Sequence, residues 1–144
     1  MNWQLSRSAT AIISIFALVG AATGCARPEF QTAEVDGQLI IKGQPGRKVR
    51  LEFIPDAGVK GPRSVADTDE DGSFTLHLMQ RDGADSLGAV VGQHRVVLSD
   101  KQLSESATGR GVPIRFGSEY THASSTPLKK EVKPEKQTLR IEIP

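Results

Sequence analysis

The sequence predicts an all-β protein, an antiparallel β-sandwich of about seven strands. Three observations carry this expectation. Apolar and polar residues alternate at period two in several runs, most cleanly across Arg47 to Ile54, where Val49, Leu51 and Phe53 share one face. Fourteen Gly and eight Pro, with Asp, punctuate those runs at roughly even spacing. No long stretch repeats its apolar residues at the 3.6-residue period of a helix.

The chain opens with MNWQLSRS, whose one charged side chain is Arg7. Fourteen uncharged residues follow, Ala9 to Ala22, rich in Ile, Phe, Leu, Val and Ala. A positive start, a short apolar run and small residues at its end make a secretory signal peptide. The run falls short of the ~20 residues that cross a bilayer as a helix. Ala21-Ala22-Thr23-Gly24 then leads to Cys25, the sole cysteine of the chain. This end resembles the lipobox of bacterial lipoproteins. Thr23 and Gly24 match it well, and Ala22 stands where that family most often has Leu. The resemblance implies cleavage before Cys25 and lipid attachment to its thiol and new amine. The plainer alternative is an ordinary secretory signal that leaves Cys25 as an accidental free thiol. With one cysteine, no internal disulfide can form.

Removing residues 1–24 leaves 120 of 144 residues, enough for one domain with one core. That part carries 17 basic and 17 acidic residues, because only Arg7 is lost from the 18 Lys and Arg. A balanced charge argues against a nucleic-acid partner, which calls for a basic excess or stripe.

The expected domain boundaries are a signal peptide over 1–24, a lipidated Cys25 and tether over 25–33, and a sandwich over 34–144. Ala26 to Ala33 is polar and would reach ~25–30 Å when extended. Position 26 is Ala. In Gram-negative lipoproteins Asp after the cysteine tends to retain the chain at the inner membrane, so by that resemblance the outer membrane is favoured.

Glu34 to Lys42 reads as the first strand, with Val35, Leu39 and Ile41 facing inward. Gly43-Gln44-Pro45-Gly46 is a turn. Arg47 to Ile54 follows, half-solvated and ended by Pro55. Asp56 to Arg63 is a Gly-containing loop. Ser64-Val65-Ala66 and Ser73 to Met79 flank a polar turn ending in Asp71-Gly72, a hairpin signal, with Phe74, Leu76 and Leu78 inward. Gln80 to Val91 reads as a loop. Gly92 to Ser99 is a strand with His94, Val96 and Leu98 on one face. Asp100 to Thr126 is long and polar, a length that marks a functional or partly disordered loop. Leu128 to Lys133 and Gln137 to Ile143 read as a closing hairpin around Lys133-Pro134-Glu135-Lys136, with Leu139, Ile141 and Ile143 inward. No helix is expected.

An ordered set of motifs runs through these elements: Gly43-Gln44-Pro45, then Phe53-Ile54-Pro55, then Asp69-Glu70-Asp71-Gly72-Ser73-Phe74, then Gly92-Gln93-His94-Arg95-Val96. Val112 to Tyr120 and Leu128-Lys129-Lys130-Glu131-Val132-Lys133-Pro134 close the set. In this order they resemble the carboxypeptidase regulatory-like, or transthyretin-like, domain, and especially small bacterial lipoproteins built from one such domain. The resemblance covers about residues 33–144. It implies a seven- or eight-stranded sandwich, no catalytic residues and no cofactor.

Candidate sites are few. Asp67-x-Asp69-x-Asp71-Gly72 has the spacing that opens an EF-hand calcium loop, but such a loop needs Glu at its twelfth position and Leu78 stands there. The three carboxylates are weak metal candidates, and Asp and Gly serving a turn is the simpler reading. His77, His94 and His122 show no ligand spacing; alternation turns His77 to water and His94 inward, and His122 lies in the long loop. The sandwich's relatives include hydrolases with a C-terminal Tyr-Arg-Gly-Ser signature, which Leu139 to Pro144 lacks. The serines of 99–125 form no Gly-x-Ser-x-Gly elbow. Lys129 to Lys136 alternates with Glu131 and Glu135, a solvated edge. The expected role is therefore non-enzymatic display from a lipid anchor on Cys25. The alternative is a binding module that holds an envelope protein or a glycan on the 100–126 loop.

Overall fold

The computed structural model describes residues 29–144 except 81, 82, 84 and 107–110. Cys25 and the expected signal peptide lie outside the described residues. The chain is almost all β: β1 (Thr32–Ala33), β2 (Val35–Ile41), β3 (Gln44–Pro45), β4 (Val49–Pro55), β5 (Ser64–Asp67), β6 (Ser73–Thr75), β7 (His77–Met79), β8 (Asp85–Leu87), β9 (Ala89–Val90), β10 (Gly92–Asp100), β11 (Lys129–Val132) and β12 (Gln137–Ile143). One short helix, α1 (Lys101–Glu105), and a 3₁₀ turn at Ser118–Thr121 interrupt the long connection between β10 and β11, where no helix was expected.

Two sheets pack face to face. One has the order β11-β10-β4-β5-β7-β8; the other has β12-β2-β3, with β6 also on β2. The period-two pattern explains the core between them. Val35, Leu39 and Ile41 of β2, Val49, Leu51 and Phe53 of β4, and Val96 and Leu98 of β10 are all buried, as are Ile141 and Ile143 of β12. These inward faces match the sequence expectation. Phe74 folds its ring over Gly37, where an added Cβ would lie 2.3 Å from the ring's Cζ. The β2–β3 hairpin turns on Lys42 and Gly43, with φ of 50° and 76°. Positive φ at both positions is the requirement of a type I′ turn, whose twist matches its strands.

The pairing departs from the sequence expectation in several places. The closing strands do not form a hairpin: β11 pairs with β10 in one sheet, and β12 pairs with β2 in the other. The β12–β2 ladder is parallel, so the sandwich is not wholly antiparallel. Ser73 to Met79 is not one strand. β6 pairs with β2, β7 pairs with β5 across the sandwich, and Leu76 between them donates its N–H to the Val35 carbonyl at 2.9 Å. The stretch expected as a loop over 80–91 contains β8 and β9. The last residues of the expected tether are also in structure, since Thr32 and Ala33 pair with Val90 and Ala89. Backbone pairing carries this, which is why the polar side chains of the segment hold no strand signal.

The registers run the strands between two poles. Gln31 accepts a hydrogen bond from Val91, and Lys136 reaches Glu34 at 2.9 Å, so the chain joins the domain at the pole that holds loops 56–63 and 133–136. The Lys42–Gly43 turn, Thr68 and α1 lie at the opposite, distal pole, tied there by Lys48 N–H to the Thr68 carbonyl and Lys101 N–H to the Lys48 carbonyl.

Candidate functional site

The switch of the chain from β6 to β7 leaves an open cleft between the sheets. It encloses about 640 Å³ and is lined by Asp36, Arg50, Asp67, Asp69, Thr75 and His77, among others. Alternation puts these side chains outward from the core, so the cleft is polar.

Two of its charged groups, Arg50 and Asp67, pair with each other. Arg50 donates from Nε and Nη2 to the two carboxylate oxygens of Asp67, at 2.9 and 3.0 Å. Lys101 donates to the same Asp67 at 3.2 Å. The hydrogen bond from Arg50 holds the Asp67 carboxyl below its usual range, and Asp67 in turn raises the Arg50 guanidinium. Thr75 Oγ1 donates to Asp36 at 2.8 Å, and His77 Nδ1 lies 2.7 Å from Asp85.

The three aspartates singled out from the sequence therefore do different work. Asp67 is a strand residue paired across β4. Asp69 shapes the turn through its backbone, donating to the Ser73 carbonyl at 2.9 Å and accepting from Gly72 at 3.0 Å. Asp71 accepts from the Ser73 hydroxyl at 2.6 Å and its N–H at 3.0 Å, and these bonds lower its carboxyl. Gly72 is required there, with φ +78° and the Leu39 carbonyl 2.5 Å from where a Cβ would sit. Among the described residues no three His, Cys, Asp or Glu side chains converge on a common point. Turn chemistry accounts for the spacing.

His94 is buried against Phe53, with ring centroids 6.0 Å apart, and its Nδ1 lies 3.0 Å from the Gly92 carbonyl. Burial pushes its imidazole down. His77 is part-exposed, and His122 is exposed with Nδ1 2.8 Å from the Thr121 hydroxyl.

One feature has no counterpart in the sequence pattern, an ion pair inside the long connection. Arg115 donates from Nε to Asp100 Oδ2 at 2.7 Å and from Nη2 to Oδ1 at 2.6 Å. Its Nη1 donates to the Arg47 carbonyl at 2.7 Å. Asp100 also caps α1 by accepting from Gln102 N–H at 3.0 Å. The side chains are 17% and 4% exposed, so this is a nearly buried two-pronged pair. Phe116, one residue on, is buried and meets Tyr120 edge-on at 6.5 Å. Beside it is a hollow of about 360 Å³ lined by Leu103, Ile114, Phe116 and Thr121. Ile114 at its rim is 76% exposed. An acid and a base fifteen residues apart in polar sequence carry no spacing signal, so periodicity and motif spacing cannot find them.

No family model and no curated protein matches the sequence. Two solved structures are similar in outline. A DUF3823 family protein from Parabacteroides merdae ATCC 43184 is 16% identical over 80% of this chain and 47% of its own, with a TM-score of 0.43. A 9R-lipoxygenase from Cyanothece PCC8801 is 12% identical over 93% of this chain and 18% of its own, with a TM-score of 0.26. The chain spans about half the length of the first and under a fifth of the second. At these values neither bears on what this chain does.

Proposed function

We propose that this chain is an exported protein, anchored by lipid on Cys25 to a membrane of the cell envelope, that displays one small sandwich of the carboxypeptidase regulatory-like, transthyretin-like kind. Its role is display or binding, not catalysis, and the outer membrane is the favoured address. The observation that carries this reading is the run from Thr10 to Cys25, an apolar segment too short to span a bilayer that ends in small residues and the chain's sole cysteine. Two or more acyl chains, at ~0.8 kcal/mol per buried CH₂, give stable anchoring where one does not. The two-pronged pairing of Arg50 with Asp67 in the cleft supports a non-catalytic role. The order of the motifs, with Gly43-Gln44-Pro45, Phe53-Ile54-Pro55 and Asp69 to Phe74 each at a turn or strand end, supports the domain type.

Fractionation tests the anchor. Wild-type chain should pellet with membranes and Cys25→Ala should move to the soluble exported fraction. A variant that pellets like wild type contradicts the lipid anchor.

One observation favours a second reading, a module that binds an envelope protein or glycan through the 100–126 connection. Ile114 stands exposed on the rim of the apolar hollow beside Phe116. A photo-crosslinking residue at position 114 should give one discrete adduct in intact cells if that reading is right, and only diffuse background if it is not.

A further inference from the structure

We infer that the pole at which the chain joins the sandwich rests against the headgroups of the bilayer that holds Cys25, so that loop 57–63 and the end of β7 form a membrane-facing surface. This inference rests on the lipid anchor proposed above.

The tether is much shorter than the polar sequence implies. Phe30 is half-buried, with its ring 3.0 Å from where a Cβ on Gly61 would lie. Gln31 accepts from Val91 at 2.8 Å, and Thr32 and Ala33 are paired with β9. The domain thus holds the chain from residue 30 onward. Five residue steps separate Cys25 from Phe30, and covalent geometry limits them to ~18 Å. The seven residues of β2 lead away from this pole, a rise of ~20 Å along the strand. The tether, fixed at the near pole, is therefore too short to carry the lipid to the distal pole.

The surface held near the lipid has the composition an interface accepts. Met79 is 48% exposed at the end of β7, and Leu87 is 54% exposed on β8, the edge strand of its sheet. They are two of the three large hydrophobic side chains exposed among the described residues. A groove of about 510 Å³ runs between Phe30, Lys60, Pro62 and Met79. Lys60 and Lys133 are exposed on the loops of the same pole. Glu29 and Lys60 both line the groove, so the patch is apolar with mixed charge at its edge. Apolar side chains that reach the acyl boundary, with a lysine beside them to meet anionic phosphates, are the elements of an interfacial contact. The distal pole presents the Arg47–Glu70 pair, the Lys42–Gly43 turn and, beside Arg115, the exposed Ile114, but it is the pole the tether does not reach.

The test uses the full chain, expressed with its signal and reconstituted in phosphatidylethanolamine–phosphatidylglycerol vesicles. A lipidated Cys25 leaves no free thiol, so an added cysteine takes a fluorescent label uniquely. Lys60→Cys and Met79→Cys report the near pole; Lys42→Cys and Glu70→Cys report the far one. All four positions are exposed, so labelling leaves the core intact. A quencher carried on lipid headgroups should quench the two near labels at least threefold more than the two far labels. Equal quenching on a chain whose Cys25 carries lipid overturns the membrane-facing pole and leaves the anchor standing. A chain whose Cys25 titrates as a free thiol overturns the anchor, and the pole with it.

Discussion

His94 shows how one buried side chain ties stability to pH. Its Nδ1 bonds the Gly92 carbonyl, a pure acceptor, so the ring donates there, with Nε2 in the core without a partner among the described residues. Burial lowers its pKa in the fold below the unfolded value of about 6.5. Between the two values the unfolded chain binds more protons, so stability rises with pH. The stabilisation is complete above about pH 6.5 and is lost as the pH falls below it. Denaturant melts of the domain at pH 7.5 and pH 5 should show the lower midpoint at pH 5, and His94→Phe should shrink that difference; an unchanged difference places the acid sensitivity elsewhere. Thr68 makes a simpler case. Its buried hydroxyl donates to the Gly46 carbonyl at 2.6 Å and accepts from Val49 N–H at 2.9 Å. Thr68→Val leaves both backbone groups unpaired and should destabilise by about 1–3 kcal/mol in a denaturant melt.

At the scale of elements, the strands whose alternation stays within one sheet are legible in the sequence alone. Val49, Leu51 and Phe53 on β4, and His94, Val96 and Leu98 on β10, lie inward where the pattern puts them. The run Phe74, Leu76, Leu78 also lies inward, yet its alternation continues unbroken through the crossing at Leu76, so it does not reveal the change of sheet. Likewise β11 and β12 read as a hairpin because both alternate around Lys133-Pro134-Glu135-Lys136. Alternation tells which side is buried and is silent on the partner strand. The aspartates at 67, 69 and 71 are legible as turn and strand chemistry, whereas the Asp100–Arg115 pair depends on the chain's return and is not. That pair fastens the start of the long connection to the β3–β4 turn. Arg115→Ala would leave Asp100 buried without its counter-charge, and the cost is about 3 kcal/mol. Limited proteolysis should then cut the 101–117 region faster than in wild type, and an unchanged rate would contradict the fastening role.

For the whole molecule, the sandwich must hold by packing, because a single cysteine allows no internal disulfide. The parallel strand β12 closes the smaller sheet and buries Ile141 and Ile143 completely or nearly so. Each such side chain contributes about 1.5–3 kcal/mol, against a total of about 5–15 kcal/mol for a domain of this kind. A chain ending at Lys136 should therefore lose its cooperative thermal transition; a transition within a few degrees of wild type would show that β12 is dispensable. With the proposed lipid on Cys25, four residues of polar chain would lead to a packed domain whose near pole is fixed by β1, an order that suits a protein held close to a surface. The mass of the N-terminal peptide, from chain purified out of membranes, decides whether that lipid is there. Lipid anchoring predicts a peptide that begins at Cys25 and carries a diacylglycerol on its thiol and an acyl group on its amine. A peptide that begins at another residue, or at Cys25 with a free thiol, would contradict it.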